Sequence, residues 1–456
     1  MKRAIEQGKF DTMVEATDWR YAAAIVGLAK YLRVMVGEEE YEILEEEIRF
    51  NSACITEEKY LKFIERYYED KLHHKKAEML LRHEEWSEEK IKYVNELLKG
   101  NSIMKKIFNK LKFDGTNHLS ILEIIGEHRK VLTLETFRNK ADMYANFANT
   151  NQLLEKGKAC CRLLGYYVDP ARKSKAIAYN FNADTFSAED DSLLDFIPFA
   201  FSQGREAFFI NANYSIKKMI SKNQFFENCL VAEIEKKAVE GREANSRQVL
   251  FRAIKEVADF IDFDVEVIVK NRENNFFETM FIHKESIEVL KKIKHYDVFC
   301  RPYKRRDNSY IDVQKEVMEC ILNLTRTDPL IDLLLKENSL NEEFRISQLI
   351  EVNILICEEG NMKQSNKVAY ACAKAVAAKI PNNKRASYRQ KLVSAIVFKD
   401  YERVNDILLQ LSISSDTPFD FAFELFEDFE ANKDIAYTFI NALAKKQDKN
   451  EENGGN

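Results

Sequence analysis

A chain of 456 residues with only 13 Gly and 6 Pro has few places to turn tightly. Those two residues punctuate secondary structure, because Gly reaches left-handed dihedrals and Pro lacks an amide donor. Their scarcity favours long helices. Hydrophobic residues make up 45% of the chain, enough to give two or three domains a core each. The expected fold class is α+β, predominantly helical.

The pattern along the chain sets the order. AAAIVGLAKYLRVMV, residues 22–36, predicts an amphipathic helix, and the acidic run GEEEYEILEEEIRF after it leads toward a strand. Tyr60, Phe63, Ile64, Tyr67 and Tyr68 recur at spacings of three and four, so residues 56–98 are expected to be helical almost throughout. Ser87 before Glu88 and Glu89 starts a further helix there, and Gly100-Asn101 stops it. SIMKKIFNKLKFDG predicts a short basic helix. Residues 158–283 change in texture, with the short apolar runs AIAYNF, EAFFINANY, VEVIVK and FFETMFIH expected as strands. NRENN between the last two predicts a hairpin leading into the helix ESIEVLKKIKHY.

Beyond Val313 the segments VMECILNLT, PLIDLLLKEN, two stretches within residues 360–399, DYERVNDILLQL, PFDFAFELFEDFE and KDIAYTFINALAKK predict helices. Thr327-Asp328-Pro329 and Asn382-Asn383 break them. The expected organisation is a mixed α/β N-terminal body over residues 1–315, an all-α C-terminal helical bundle over 316–446 and a disordered tail over 447–456. No internal repeat stands out.

The first residues are too polar for a signal peptide, and no apolar run approaches the roughly 18 residues that span a bilayer. A cytoplasmic location without a membrane partner is expected. The eight cysteines are scattered and form no CxxC, which predicts reduced thiols and neither a disulfide framework nor a zinc site.

Net charge is −6, yet residues 360–399 contain no Asp and no Glu. On a helical wheel Lys363, Lys367 and Lys374 fall within about 40° of one another, with Tyr370 beside them. Val368, Cys372, Ala375 and Val376 lie opposite as a narrow core face whose alanines admit a close neighbour. After Pro381 the arrangement repeats as Lys384, Tyr388 and Lys391, with Arg385 and Arg389 in the same segment. Such a surface suits a phosphate backbone: each cation that neutralises a phosphate releases condensed counterions, and an aromatic ring stacks on an unpaired base. A carboxylate there would oppose the attraction. The competing reading is an ordinary solvated helix face.

Three further places have the same chemistry. RPYKRRDNSY sets Arg301, Lys304, Arg305 and Arg306 around Tyr303 in an expected loop, and ARKSK holds Arg172, Lys173 and Lys175. FFINANYSIKKMISKN places Lys217 and Lys218 after Asn211 and Asn213. Asparagine amides can address base edges, so these four are candidates for reading a short DNA motif, although asparagines so placed more often simply satisfy turn backbone.

Catalytic signatures are absent from the sequence: no Walker loop, no Gly-x-Gly-x-x-Gly, no Gly-x-Ser-x-Gly and no His-Glu-x-x-His. His73-His74 with His83 sits among lysines and arginines without an evident inward carboxylate. No enzyme activity, metal or cofactor is expected.

ATDWRYAAAIVGLAKYL near the N-terminus, EAFFINANYSIKKMISKN in the middle, and YERVNDILLQL followed by FEANKDIAYTFINALAKK at the end resemble, in order, segments of a known family. This is the large subunit of type I CRISPR effector (Cascade) complexes, most of all the type I-B branch. Many relatives carry a cysteine-rich zinc segment in the middle, where this chain has only Cys160-Cys161.

The resemblance implies a non-catalytic subunit that works with a CRISPR guide RNA, the backbone and other Cascade subunits and a helicase-nuclease. It would recognise the protospacer-adjacent motif in double-stranded target DNA, assist R-loop formation and hold the displaced single strand. It also implies that a C-terminal small subunit could be translated from an internal start, for which Met318 is placed. The alternatives are a helical adaptor that binds a protein partner without nucleic acid, and a metal-dependent nuclease.

Overall fold

The computed structural model describes residues 2–4, 9–82, 86–155, 162–165, 191–211, 215–239, 246–256, 264–337, 342–357 and 362–444. The expected strand AIAYNF, the ARKSK cations, His83, Asn213, Cys160-Cys161 and the C-terminal tail lie outside these residues. The fold is α+β and predominantly helical, with a mixed N-terminal region and a helical C-terminal region. Two compact units form, one of residues 1–253 with 265–281 and one of 254–264 with 282–456.

In the first unit β1 (Lys2–Ala4) and β2 (Thr12–Glu15) precede the helix α1 (Trp19–Met35), and β3 (Tyr41–Ile43) and β4 (Glu47–Phe50) follow it. They make an antiparallel sheet in the order β1-β2-β4-β3, with Val14 opposite Ile48. The acidic run thus supplies two strands where one was expected, and β1 and β2 are additional. Asp18 caps α1 by accepting from the amides of Arg20 and Tyr21. The small residues of α1 have a definite use: Gly27 lies against the 3₁₀ segment Ser192–Phe199, where a Cβ would meet the Phe196 carbonyl oxygen at 1.9 Å.

The helices α2 (Glu57–Tyr67), α3 (His73–Leu81), α4 (Glu88–Leu97), α5 (Ser102–Phe108) and α6 (His118–Asn139) follow. Ser87 Oγ accepts from Lys90 N, as expected of a cap, whereas Asn101 caps the start of α5. Tyr31, Tyr60, Phe63, Phe137, Phe196 and Phe199 build an aromatic core, with Phe137 and Phe199 stacked at 5.6 Å. β5 (Glu206–Asn211) leads to α7 (Ile216–Val239) and α8 (Ser246–Glu256), then β6 (Val265–Asn271) and β7 (Glu278–Ile282). The expected hairpin is present in the sheet β5-β6-β7.

The second unit holds α9 (Lys284–Lys292), a two-stranded hairpin of β8 (Tyr303–Lys304) and β9 (Tyr310–Ile311), α10 (Val313–Leu322), α11 (Asp328–Glu337), α12 (Glu343–Cys357), α13 (Met362–Lys379), α14 (Asn382–Val397), α15 (Tyr401–Ser415), α16 (Phe421–Glu427) and α17 (Lys433–Ala444). The division falls at Phe281, upstream of the expected 315/316 boundary, because α9 packs on α10 and α12 and Ser286 Oγ donates to Ile321 O at 2.9 Å. Helix α12 was not foreseen. Its sequence EFRISQLIEVNILIC is apolar on more than one face, since α9, α10, α11 and α17 all pack on it. Among the described residues no helix is long and apolar enough to cross a membrane.

Candidate nucleic-acid interface

The acid-free stretch folds as the expected helix pair, α13 and α14, each resting on α15 and α17. The core stripe of α13 is Asn366, Ala369, Ala373, Val376 and Ile380, with Cys372 beside it. It is rotated from the expected face: Val368 and Ala375 are only half-buried. Ala369 and Ala373 are fully buried where α17 packs, as small residues allow. Lys367 and Lys374 are exposed and Tyr370 is half-buried between them. Lys363 lies in α13, its side chain outside the described residues.

Lys374 Nζ stands 5.2 Å from the Tyr370 ring centroid, and Lys391 Nζ stands 5.7 Å from that of Tyr388. Both are within cation–π range. The repeated Lys-Tyr arrangement of the sequence is therefore a repeated contact. Lys367, Lys374, Lys384 and Lys391 are exposed and make no ion pair among the described residues. Lys379 differs, since its Nζ donates to Ser415 O at 2.6 Å and Asp416 O at 3.1 Å and so caps the end of α15.

Arg385 and Arg389 are not on the exposed stripe. They are 8% and 9% exposed. Arg385 Nη1 donates to Ala377 O at 3.2 Å, and Nη2 donates to Asn382 Oδ1. The spacing held the signal: Arg385, Arg389, Leu392 and Ile396 recur at four, three and four, on one stripe of α14 that is buried throughout. Acid-free in sequence is also not acid-free in space. Ser365 donates to Glu424, and Glu351 lines a small cleft with Tyr370.

RPYKRRDNSY is the β8–β9 hairpin, where a loop was expected. Glu337 organises it: Tyr303 Oη donates to Oε2 at 2.9 Å, Arg305 Nε to Oε1 at 3.0 Å and Arg306 Nη2 to the main-chain oxygen at 2.6 Å. Tyr303 is 3% exposed, so it offers no stacking surface, and Arg305 is neutralised in place. Arg301 and Lys304 remain exposed.

Asn211 ends β5, is 2% exposed and donates through Nδ2 to Glu266 on β6. Burial takes it away from any base edge. Lys217 and Lys218 are exposed in the first turn of α7, with Lys217 Nζ 4.0 Å from Glu45. The start of that helix is fastened by Glu45, whose carboxylate accepts from Ser215 Oγ and whose carbonyl accepts from Ile216 N at 2.7 Å.

The histidine pair differs from the sequence expectation. His74 is fully buried and does have a carboxylate partner, Glu65, 3.3 Å from Nε2, with Thr133 Oγ1 also at 3.3 Å. Arg129 joins Glu65 to Glu78, donating to Glu78 at 2.8 and 3.1 Å. Burial opposes ionisation of Glu78, but Arg129 and Lys75 outweigh it and hold the carboxyl down at about 2. The arrangement is an ion-pair network inside the first unit, and among the described residues no cluster of His, Cys, Asp and Glu could hold a metal ion.

Residues 10–443 match the family model described as CRISPR-associated protein Csx8. The chain belongs to this family. Nothing among curated proteins matches it, and no solved structure does. Membership of the Csx8 family makes this a CRISPR-associated protein over nearly its whole length. The exposed lysines of α13 and α14 lie inside the matched region.

Proposed function

We propose that this Csx8-family chain is the non-catalytic large subunit of a Cascade-type, RNA-guided surveillance complex, most like type I-B. The observation that carries the reading is the set of four exposed lysines, Lys367, Lys374, Lys384 and Lys391, which make no ion pair among the described residues, two of them seated beside tyrosines. Charge tracks a phosphate backbone without regard to sequence, and a ring beside it gives an unpaired base a face to stack on. That combination suits a displaced DNA strand.

Lys217 and Lys218 are the accessible residues proposed to approach duplex DNA near the protospacer-adjacent motif, with Arg301 and Lys304 as further phosphate contacts. Guide RNA, backbone subunits and a helicase-nuclease are the proposed partners. An internal product starting at Met318 belongs to the same reading. Met318 is 2% exposed within α10, and such a product would lack α9, which packs on α10 and α12.

The alternative is a protein-binding adaptor. It is favoured by an apolar groove of about 640 Å³ between α15 and α16, with Leu409 53% and Phe423 84% exposed. Expression with the native neighbouring genes and a C-terminal tag separates the two. A multi-subunit particle containing repeat-derived guide RNA is the expected product, and an RNA-free chain overturns the effector reading.

A further inference from the structure

The two arginines withdrawn from the exposed stripe share a cavity. It measures about 830 Å³ and is lined by parts of the β8–β9 hairpin, α11, α14 and the end of α17. Arg306, Lys336, Arg385 and Arg389 line it, and Glu343 is the carboxylate among its described lining residues. The cations outnumber the acid around this cavity, so the site favours an anion. Burial holds the Arg389 pKa below its ordinary value, with Glu343 pulling the other way.

The remaining walls select among anions. Leu335, Val393, Val397 and Leu443 are apolar, and Phe398 is 79% exposed among the lining residues. Asn382, Asn383 and Gln390 add amides, groups that pair with base edges. A sulfate or a free phosphate would use the cations and none of the rest. The volume is within the range of small-molecule sites, about 300–1,000 Å³.

We propose that this cavity binds one unpaired nucleotide, its phosphate held by Arg385, Arg389 and Lys336 and its base laid on Phe398. The ligand chemistry is a nucleoside 5′-phosphate, free or at the end of a strand. The site is separate from the lysine face, and its test does not depend on that face binding nucleic acid.

The experiment uses the full chain and a short single strand with a fluorescent 2-aminopurine as its 5′ base, with and without a 5′-phosphate. The phosphorylated strand should bind about tenfold more tightly, as a charge-assisted contact provides, and stacking should quench the base. Lys336→Glu should abolish the preference for the phosphate, and Phe398→Ala should abolish the quenching. Both positions are exposed, so neither change threatens the core as a change at Arg385 or Arg389 would. Lys367→Glu with Lys374→Glu should leave the phosphate preference intact, which separates this site from the lysine face. Competition by a nucleoside monophosphate assigns the site to free nucleotides, and its absence alongside a phosphate preference assigns it to strand ends. Equal affinity for the two strands, or quenching unchanged in Phe398→Ala, overturns the proposal.

Discussion

Arg326 Nη2 lies 2.8 Å from Asp434 Oδ2, a carboxylate with no solvent exposure. Asn353 connects the pair to the Thr327-Asp328-Pro329 turn: its Nδ2 donates to Asp328 and Asp434, both at 2.9 Å, and its Oδ1 accepts from Thr327 N at 2.6 Å. A segment that reads in the sequence as a break between helices is the polar joint that ties α11 to α12 and α17. Replacing Arg326 with Met leaves Asp434 buried without its cation, which typically costs about 3–5 kcal/mol. Hydrogen exchange should show α12 and α17 opening together and far more often in the variant.

The same carboxyl makes stability depend on pH. Burial pushes Asp434 up to about 6 although Arg326 opposes it, against an ordinary value of 3.8. The folded form therefore holds the proton more tightly than the unfolded chain. Its contribution is fully present below about pH 4 and is lost as pH rises through about 6. Denaturant titrations of the native chain and of Asp434→Asn should show a stability difference that moves against the native chain across this window and is flat above it.

Glu78 predicts the opposite sign in the first unit. Its pKa is held at about 2 against an ordinary 4.5, so its contribution is present above about pH 4.5 and lost as pH falls toward 2. Glu78→Gln should flatten that part of the acid-unfolding curve, followed by the fluorescence of Trp86 near this helix cluster.

Gly27 is fixed by the approach of a carbonyl oxygen. In Gly27→Ala the new methyl meets Phe196 O at 1.9 Å, and a main-chain atom cannot move aside as a flexible side chain can. A loss of about 1–3 kcal/mol is expected for overpacking of this kind. The melting temperature of the purified variant checks it.

The sequence revealed what local periodicity governs. AAAIVGLAK, VEVIVK and ESIEVLKK carry their own helix or strand pattern, and they form α1, β6 and α9. Lys367, Lys374, Lys384 and Lys391 were visible for the same reason, as a periodic basic stripe, and all four are exposed. What stayed hidden depends on residues far apart in the chain. β1 and β2 are three and four residues long and gain their identity from pairing, β1 on β2 and β2 on the distant β4. Glu337 recruits the Arg305 hairpin across 32 positions, and no rule of spacing announces it. Charge type alone puts Arg385 and Arg389 with the lysines, although their stripe with Leu392 and Ile396 is the core stripe of α14.

The most direct test is equilibrium binding of a single-stranded DNA at several salt concentrations, comparing the native chain with Lys367→Glu, Lys374→Glu and Lys391→Glu combined. The native chain should lose affinity steeply with salt, with a log–log slope of about −0.7 for each phosphate neutralised. The triple variant should bind more weakly, with a slope shallower by about two. Equal affinity and equal slope in the two proteins would contradict the assignment of α13 and α14 to nucleic acid.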